Sequence, residues 1–173
     1  MRSVREYKLE DIPQIASYWE SRTEAELLDM GADPQKRPKR DAFIEMLTRQ
    51  FYLPIQEKYA YCLIWEVDGV PVGHCNTNPT FFGDHAFMHL HMWEKSHRQK
   101  GQGTALVKMS IPYFFKNLQL QTLYCQPFSQ NPAPNHTLKK VGFQFVKAYR
   151  TIPGSMNFEQ EVYQWKIAKQ DME

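Results

Sequence analysis

Apolar residues recur along this chain in two rhythms. Ile12, Ile15, Ala16 and Trp19 follow an i, i+3, i+4, i+7 spacing, one face of an amphipathic helix. Asp11 precedes them as an N-cap, and Pro13 falls in the first turn, where a missing N–H costs nothing. Ahead of that helix, Val4-Arg5-Glu6-Tyr7 reads as a short first strand. Leu27, Leu28 and Met30, in an otherwise polar stretch, predict a second short helix ending near Gly31. Phe43, Leu47 and Phe51 predict a third, capped by Asp41. From residue 59 the rhythm changes. Residues 59–67 are aromatic and branched, Asp68-Gly69 is a hairpin signal, and 70–76 form the partner strand. A turn with Pro79 and Gly83 leads into a strand over 86–93.

The second half alternates strands with helices. Arg98-Gln99-Lys100-Gly101-Gln102-Gly103 separates the 86–93 strand from a helical segment reaching about residue 118, which Pro112 should kink. Strands follow over 121–128, 143–152 and 160–167, with a helix over 131–141 closed by Gly142. Hairpins first and strand–helix–strand crossovers later predict a mixed α/β architecture. We expect one domain over residues 1–173.

Composition narrows the function classes. A chain of 173 residues with 42% apolar residues can bury a core and is not disordered. The net charge of +2 is too even to draw nucleic acid or a membrane surface by itself. No apolar run approaches the roughly 20 residues of a membrane span, and the N-terminus lacks the apolar core of a secretory signal. Cys62, Cys75 and Cys125 form neither a C-x-x-C pair nor a disulfide framework, so the reducing cytoplasm is the expected compartment. The basic stretch over 34–40 reads either as an anion-attracting lip or, as charge runs usually do, as a solvated loop.

The chemistry centres on Arg98-x-x-Gly101-x-Gly103. Glycines let the backbone approach an anion and adopt positive φ. Successive N–H groups and the dipole of the following helix then converge on one place, and Arg98 and Lys100 add formal charge. A pyrophosphate suits such a cradle. The Gly-Lys-Ser/Thr of a Walker loop is absent, and hairpins precede the loop where a dinucleotide fingerprint needs a βαβ start.

With these features the chain resembles the GNAT superfamily of N-acetyltransferases. The resemblance rests on Arg98, Gly101 and Gly103 directly after a strand, on Asn131 eleven positions before Gly142-Phe143, and on the order of elements. It covers nearly the whole chain. The stretch from Ile111-Pro112-Tyr113-Phe114-Phe115 through Asn131-Pro132-Ala133-Pro134-Asn135 to Gly142-Phe143 is most similar to the ribosomal-protein N-terminal acetyltransferase branch. The resemblance implies a GNAT fold, with a mixed sheet of about seven strands, splayed central strands and about four flanking helices. It implies acetyl-CoA as co-substrate, with no metal, and direct transfer in a ternary complex to a peptide or small-molecule amine. Arg98, Gln99, Lys100, Gly101, Gln102, Gly103 and Thr104 would cradle the pyrophosphate. His91, Met92 and Trp93 would pair backbone to backbone with pantetheine. Asn131 matches the side chain that contacts the CoA arm, and also suits a helix N-cap.

Transfer needs a base for the attacking amine. Residues 87, 89, 91 and 93 share one face of their strand. Serotonin acetyltransferases carry two histidines on this strand. His89 matches the second, and Phe87 stands at the first. His89 is therefore the expected base, with His91 as cleft wall or relay; both also suit structural hydrogen bonding. The tyrosine that many members use to protonate the leaving thiolate is replaced by Leu138, and Gln126 stands where some relatives carry a glutamate. Zinc held by His89, His91 and His74 or Cys75 is the rival use of these side chains. Glu24, Glu26 and Asp29 are candidates to attract a cationic amine, or plain solvated helix surface. A CoA-binding module without catalysis is the alternative function. C-terminal strands mediate pairing in members of the superfamily, which leaves a homodimer open.

Overall fold

The computed structural model describes residues 1–98 and 101–172, with Lys95 and Arg98 described in their main chain only. Its strands are β1 (Arg2–Glu6), β2 (Tyr61–Val67), β3 (Val70–Phe81), β4 (His85–Met92), β5 (Thr122–Cys125), β6 (Gln144–Thr151) and β7 (Gln160–Ala168). They form one sheet in the order β1-β2-β3-β4-β5-β7-β6, with β4–β5 as its parallel pair. The helices are α1 (Ile12–Glu20), α2 (Glu24–Asp29), α3 (Arg40–Tyr52), α4 (Gln102–Leu118) and α5 (Pro132–Val141). The architecture is the expected GNAT fold.

Strand alternation feeds two cores. On one face Leu63, Trp65, Cys75 and Met88 pack with Leu106 and Phe114 of α4 and with Leu138 of α5. On the other, Cys62, Ile64 and Trp93 pack with Ile12, Ile15 and Trp19 of α1 and Leu47 of α3. The apolar spacing of α1 is thus realised as one buried face. A polar chain ties α4 to the sheet. Trp65 donates to the Ser110 hydroxyl at 2.8 Å, which donates to the Leu106 carbonyl at 2.8 Å, so neither buried group is left unpaired.

Several boundaries differ from expectation, each for a physical reason. Asp11 stands at the N-cap of α1, but its side chain makes no cap bond. It is buried and accepts from Nη1 and Nη2 of Arg5, at 2.7 and 2.9 Å, and from the Lys8 amide. That bidentate pair holds the Asp11 carboxyl below the usual carboxylate range, despite burial pushing it up. Lys39, not Asp41, caps α3, so Asp41 lies in its first turn. β3 runs on to Phe81 through an irregularity between Thr77 and Thr80. β5 stops at Cys125, three residues short of the expected strand. α4 continues unbroken through Pro112. The hairpin signal is met in full, since Asp68 and Gly69 both have positive φ (52° and 77°), as a type I′ turn requires.

Candidate active site

β4 and β5 pair over only three residues, His85–Thr122, Ala86–Leu123 and Phe87–Tyr124. Phe87 and Tyr124 stack at 5.3 Å at the end of that pairing. β4 then continues to Met92 while β5 ends at Cys125, so the strands part. The Trp93 amide donates to the Val72 carbonyl at 2.9 Å. By antiparallel alternation the odd-numbered residues of β4 bond to β3, and even-numbered ones, Leu90 in the middle, turn N–H and C=O to the opened edge. Of the three positions expected to pair with pantetheine, Met92 fits this edge, whereas the Trp93 amide is already committed to β3.

The opening faces the start of α4. Gly101 takes the left-handed conformation (φ 71°), which a residue with a Cβ adopts only at a cost. The first intrahelical bond runs from Ala105 to the Gly101 carbonyl, so the amides of Gln102, Gly103 and Thr104 precede the helical ladder. Among the described residues, a Cβ on Gly101 or Gly103 would meet nothing within 4 Å. The expected cradle residues Gln99 and Lys100 lie outside the described residues, as does the Arg98 side chain. Asn131 caps α5 by position without a side-chain cap bond. Its carboxamide is therefore not consumed by the cap.

Across the sheet, β3–β4 register sets His74 opposite His91 and Asn76 opposite His89. The His74 and His91 rings stack at 4.5 Å, enclosed by Tyr18 and Trp19 of α1, whose rings lie 5.4 and 5.0 Å from that of His91. Trp93 donates its indole N–H to His74 Nδ1 at 2.8 Å. Burial drives the His74 pKa down to about 3. His91 Nδ1 lies 3.4 Å from the Tyr18 hydroxyl, and burial, then the His74 and His89 rings, holds it neutral.

His89 is built differently. Its Nε2 lies 2.7 Å from the Asn78 carbonyl. A carbonyl only accepts, so Nε2 carries the proton and Nδ1 of the neutral ring holds the lone pair. Burial lowers the His89 pKa, partly offset by the Asn78 bond. The ring is thus an unprotonated, oriented base at neutral pH.

Other expected residues fall elsewhere. Cys75 sits one residue from His74 on a strand and so faces the opposite core. Among the described residues no group of three or more His, Cys, Asp or Glu is placed to hold a metal ion. Gln126 accepts from the Tyr149 hydroxyl at 2.7 Å and from Gln164 at 3.1 Å. Leu138 is fully buried in the core. In the basic stretch, Arg37 donates to the Glu20 and Arg22 carbonyls and Lys36 to the Asn157 carbonyl, which ties the segment down.

One cavity of about 860 Å³ joins the two sides of the sheet. Gly101, Thr104 and Asn131 line it at one end; His89, His91 and Trp19 line it further in. Sequence patterning did not single out Tyr18 or Asn76, and it named His74 only as a rival zinc ligand and Phe43 only as part of a helix face; all four also form its wall. Their approach depends on strand register and helix packing, which leave no local spacing to read.

A strand edge left open beside a glycine-led helix start, with an oriented histidine across a shared cavity, defines an acyl-CoA-dependent transferase. A model of the acetyltransferase (GNAT) family matches residues 17–143, and the chain belongs to that family. Its activity is acetyl transfer from acetyl-CoA to an amine. Solved structures share the fold at low sequence identity. A RimL ribosomal L7/L12 alpha-N-protein acetyltransferase in complex with coenzyme A is 12% identical, with a TM-score of 0.78 over 98% of this chain and 95% of that one. A spermidine N-acetyltransferase from Vibrio cholerae in complex with CoA and spermine is 16% identical, with a TM-score of 0.78 over 98% and 96%. No curated protein sequence matches the chain significantly.

Proposed function

We propose that acetyl-CoA lies with its pantetheine arm in the gap between β4 and β5 and its pyrophosphate at the opening of α4. Leu90 and Met92 supply the strand edge. The amides of Gln102, Gly103 and Thr104 supply the anion cradle, and Asn131 contacts the arm. Solved relatives of the same fold carry CoA, which supports this reading.

The acceptor amine enters from the α1–α3 side, and His89 is its base. The amine nitrogen attacks the thioester carbonyl, forming the C–N bond as the C–S bond breaks. The amine proton passes to His89 Nδ1, directly or through water. The main-chain N–H of Leu90 receives the developing oxyanion. The CoA thiolate leaves and takes a proton from solvent; with an ordinary thiol pKa of about 8.5 it needs no resident acid. The core position of Leu138 fits that route. His91 walls the site and keeps His89's surroundings dry. A single domain over residues 1–173 carries the reaction. Three buried, unpaired thiols suit the cytoplasm. The exposed Phe145 and Val146 of the edge strand β6, with Ile152 just beyond it, suit a homodimer.

The observation that carries this reading is the single cavity lined by both the α4 opening and His89. His89→Gln keeps a hydrogen-bond donor for Asn78 and removes the base. Its kcat should fall by about 10²- to 10⁴-fold, while acetyl-CoA affinity by calorimetry stays unchanged. An unaltered kcat would remove His89 from the chemistry. Failure of the unmodified protein to bind acetyl-CoA would remove the donor site.

A further inference from the structure

The acceptor half of the cavity has a distinctive wall. Tyr18, Trp19 and Phe43 contribute aromatic surface, and Ile15, Met46 and Met156 contribute aliphatic surface. Among the described residues no Asp or Glu lines the cavity, and its one formally charged wall residue is Lys140. Glu24, Glu26 and Asp29, read from the sequence either as cation-attracting or as plain helix surface, are not part of this lining. Glu26 accepts from the Thr23 amide at 2.9 Å and lies 3.7 Å from Arg22. Glu26 and Asp29 border a neighbouring cavity of about 770 Å³, which shares Met30, Phe128 and Asn131 with the main one.

The same half is roofed. The Asp33 amide donates to the Met156 carbonyl at 2.8 Å, and Ala32 bridges Asn157. The Asn157 and Gln160 carboxamides donate to the Gly31 carbonyl at 2.8 and 2.7 Å. Lys36 donates to the Asn157 carbonyl at 2.8 Å. These bonds strap the β6–β7 connection to the segment after α2. The Gly31 backbone allows the close approach, since a Cβ there would lie 2.5 Å from Gln160.

This wall and this roof discriminate among amines. A second ammonium carried into the chamber would lose its hydration with no carboxylate to meet it. A single amine that enters as the neutral base carries no such penalty, and its body gains by covering apolar wall. The strap ties down one side of the chamber, which favours a short acceptor over an extended chain. We infer that the acceptor is a small primary amine bearing one aromatic or branched aliphatic group and no second cation. This rests on the proposed donor site and narrows the partner of that same chamber.

Four amines separate the sources of this chemistry: 2-phenylethylamine, isopentylamine, spermidine and the tripeptide Phe-Gly-Gly. The measurement is kcat/KM for each at saturating acetyl-CoA, with acetyl-CoA binding measured separately by calorimetry. 2-Phenylethylamine or isopentylamine should exceed spermidine by at least about tenfold, the discrimination an apolar pocket supplies, and should exceed the tripeptide. Trp19→Ala should raise KM for 2-phenylethylamine by about tenfold, with kcat and acetyl-CoA affinity little changed. A preference for spermidine, or for the tripeptide over both small amines, overturns the inference while leaving the donor site standing. Intact acetyl-CoA binding with no turnover of either small amine overturns it too. Loss of acetyl-CoA binding in the unmodified protein removes the donor site and the inference together.

Discussion

The two halves of the site are made of different material. On the proposed donor side the functional atoms would belong to the backbone: the opened edge of β4 around Leu90 and the amides ahead of Ala105 in α4. On the proposed acceptor side they would belong to side chains from separate elements: Tyr18 and Trp19 from α1, Phe43 from α3, His74 from β3 and His91 from β4. Backbone atoms are the same in every residue, so a donor site of this kind constrains sequence only where geometry is unusual, at Gly101. A side-chain site constrains chemistry at every wall position and can be redrawn without touching the fold. A shared donor with variable acceptors follows from that division.

If this contrast holds, substitutions should divide cleanly. The largest stability effect is expected at the roof. Gly31→Ala forces a Cβ at φ +79° against the buried Gln160 carboxamide. Left-handed strain and a disturbed buried hydrogen bond together cost about 2–4 kcal/mol. In a chain of this size that lowers Tm by about 5–15 °C by calorimetry. An unchanged Tm would mean the strap contributes nothing to the fold.

Gly101→Val should act on the other half alone. The strain of φ +71° in a β-branched residue, about 1–2 kcal/mol, is relieved by reshaping the loop. Acetyl-CoA affinity should drop by about 5- to 30-fold, with the acceptor KM unmoved. A raised acceptor KM with intact acetyl-CoA affinity would invert the assignment.

The smallest effect is a dependence on pH. His74 titrates near 3 in the folded protein, and burial also holds His89 and His91 below the ordinary value of about 6.5. Between about 6.5 and 3 the unfolded chain therefore binds protons that the folded chain refuses, so stability declines as pH falls through that window. His91→Phe should flatten the decline of Tm measured from pH 7 to pH 4. An equally steep decline in that variant would show that carboxylates dominate it.

The same division explains what could be read before the structure. The Gly101-x-Gly103 loop, the Asp68-Gly69 turn and the α1 face are local signals, and each appears where its spacing put it. Asp11 misled because a half-buried arginine outcompeted its capping role, a partner six residues back and across a turn. Glu26 had two readings, and the capping box with Thr23, which turns its carboxylate onto its own helix, favours the plain helix-surface one. The acceptor chamber was illegible for a deeper reason. His74 meets His91 only through strand register, and both meet Tyr18 only through packing of α1 on the sheet.

The central claim is that the open edge of β4 holds the acyl donor, and a crystal structure of the acetyl-CoA complex tests it most directly. The expected density has the pantetheine arm between β4 and β5, hydrogen-bonded to the main chain of Leu90, with the pyrophosphate on the amides of Gln102, Gly103 and Thr104. Acetyl-CoA bound elsewhere, with that edge untouched, would contradict it.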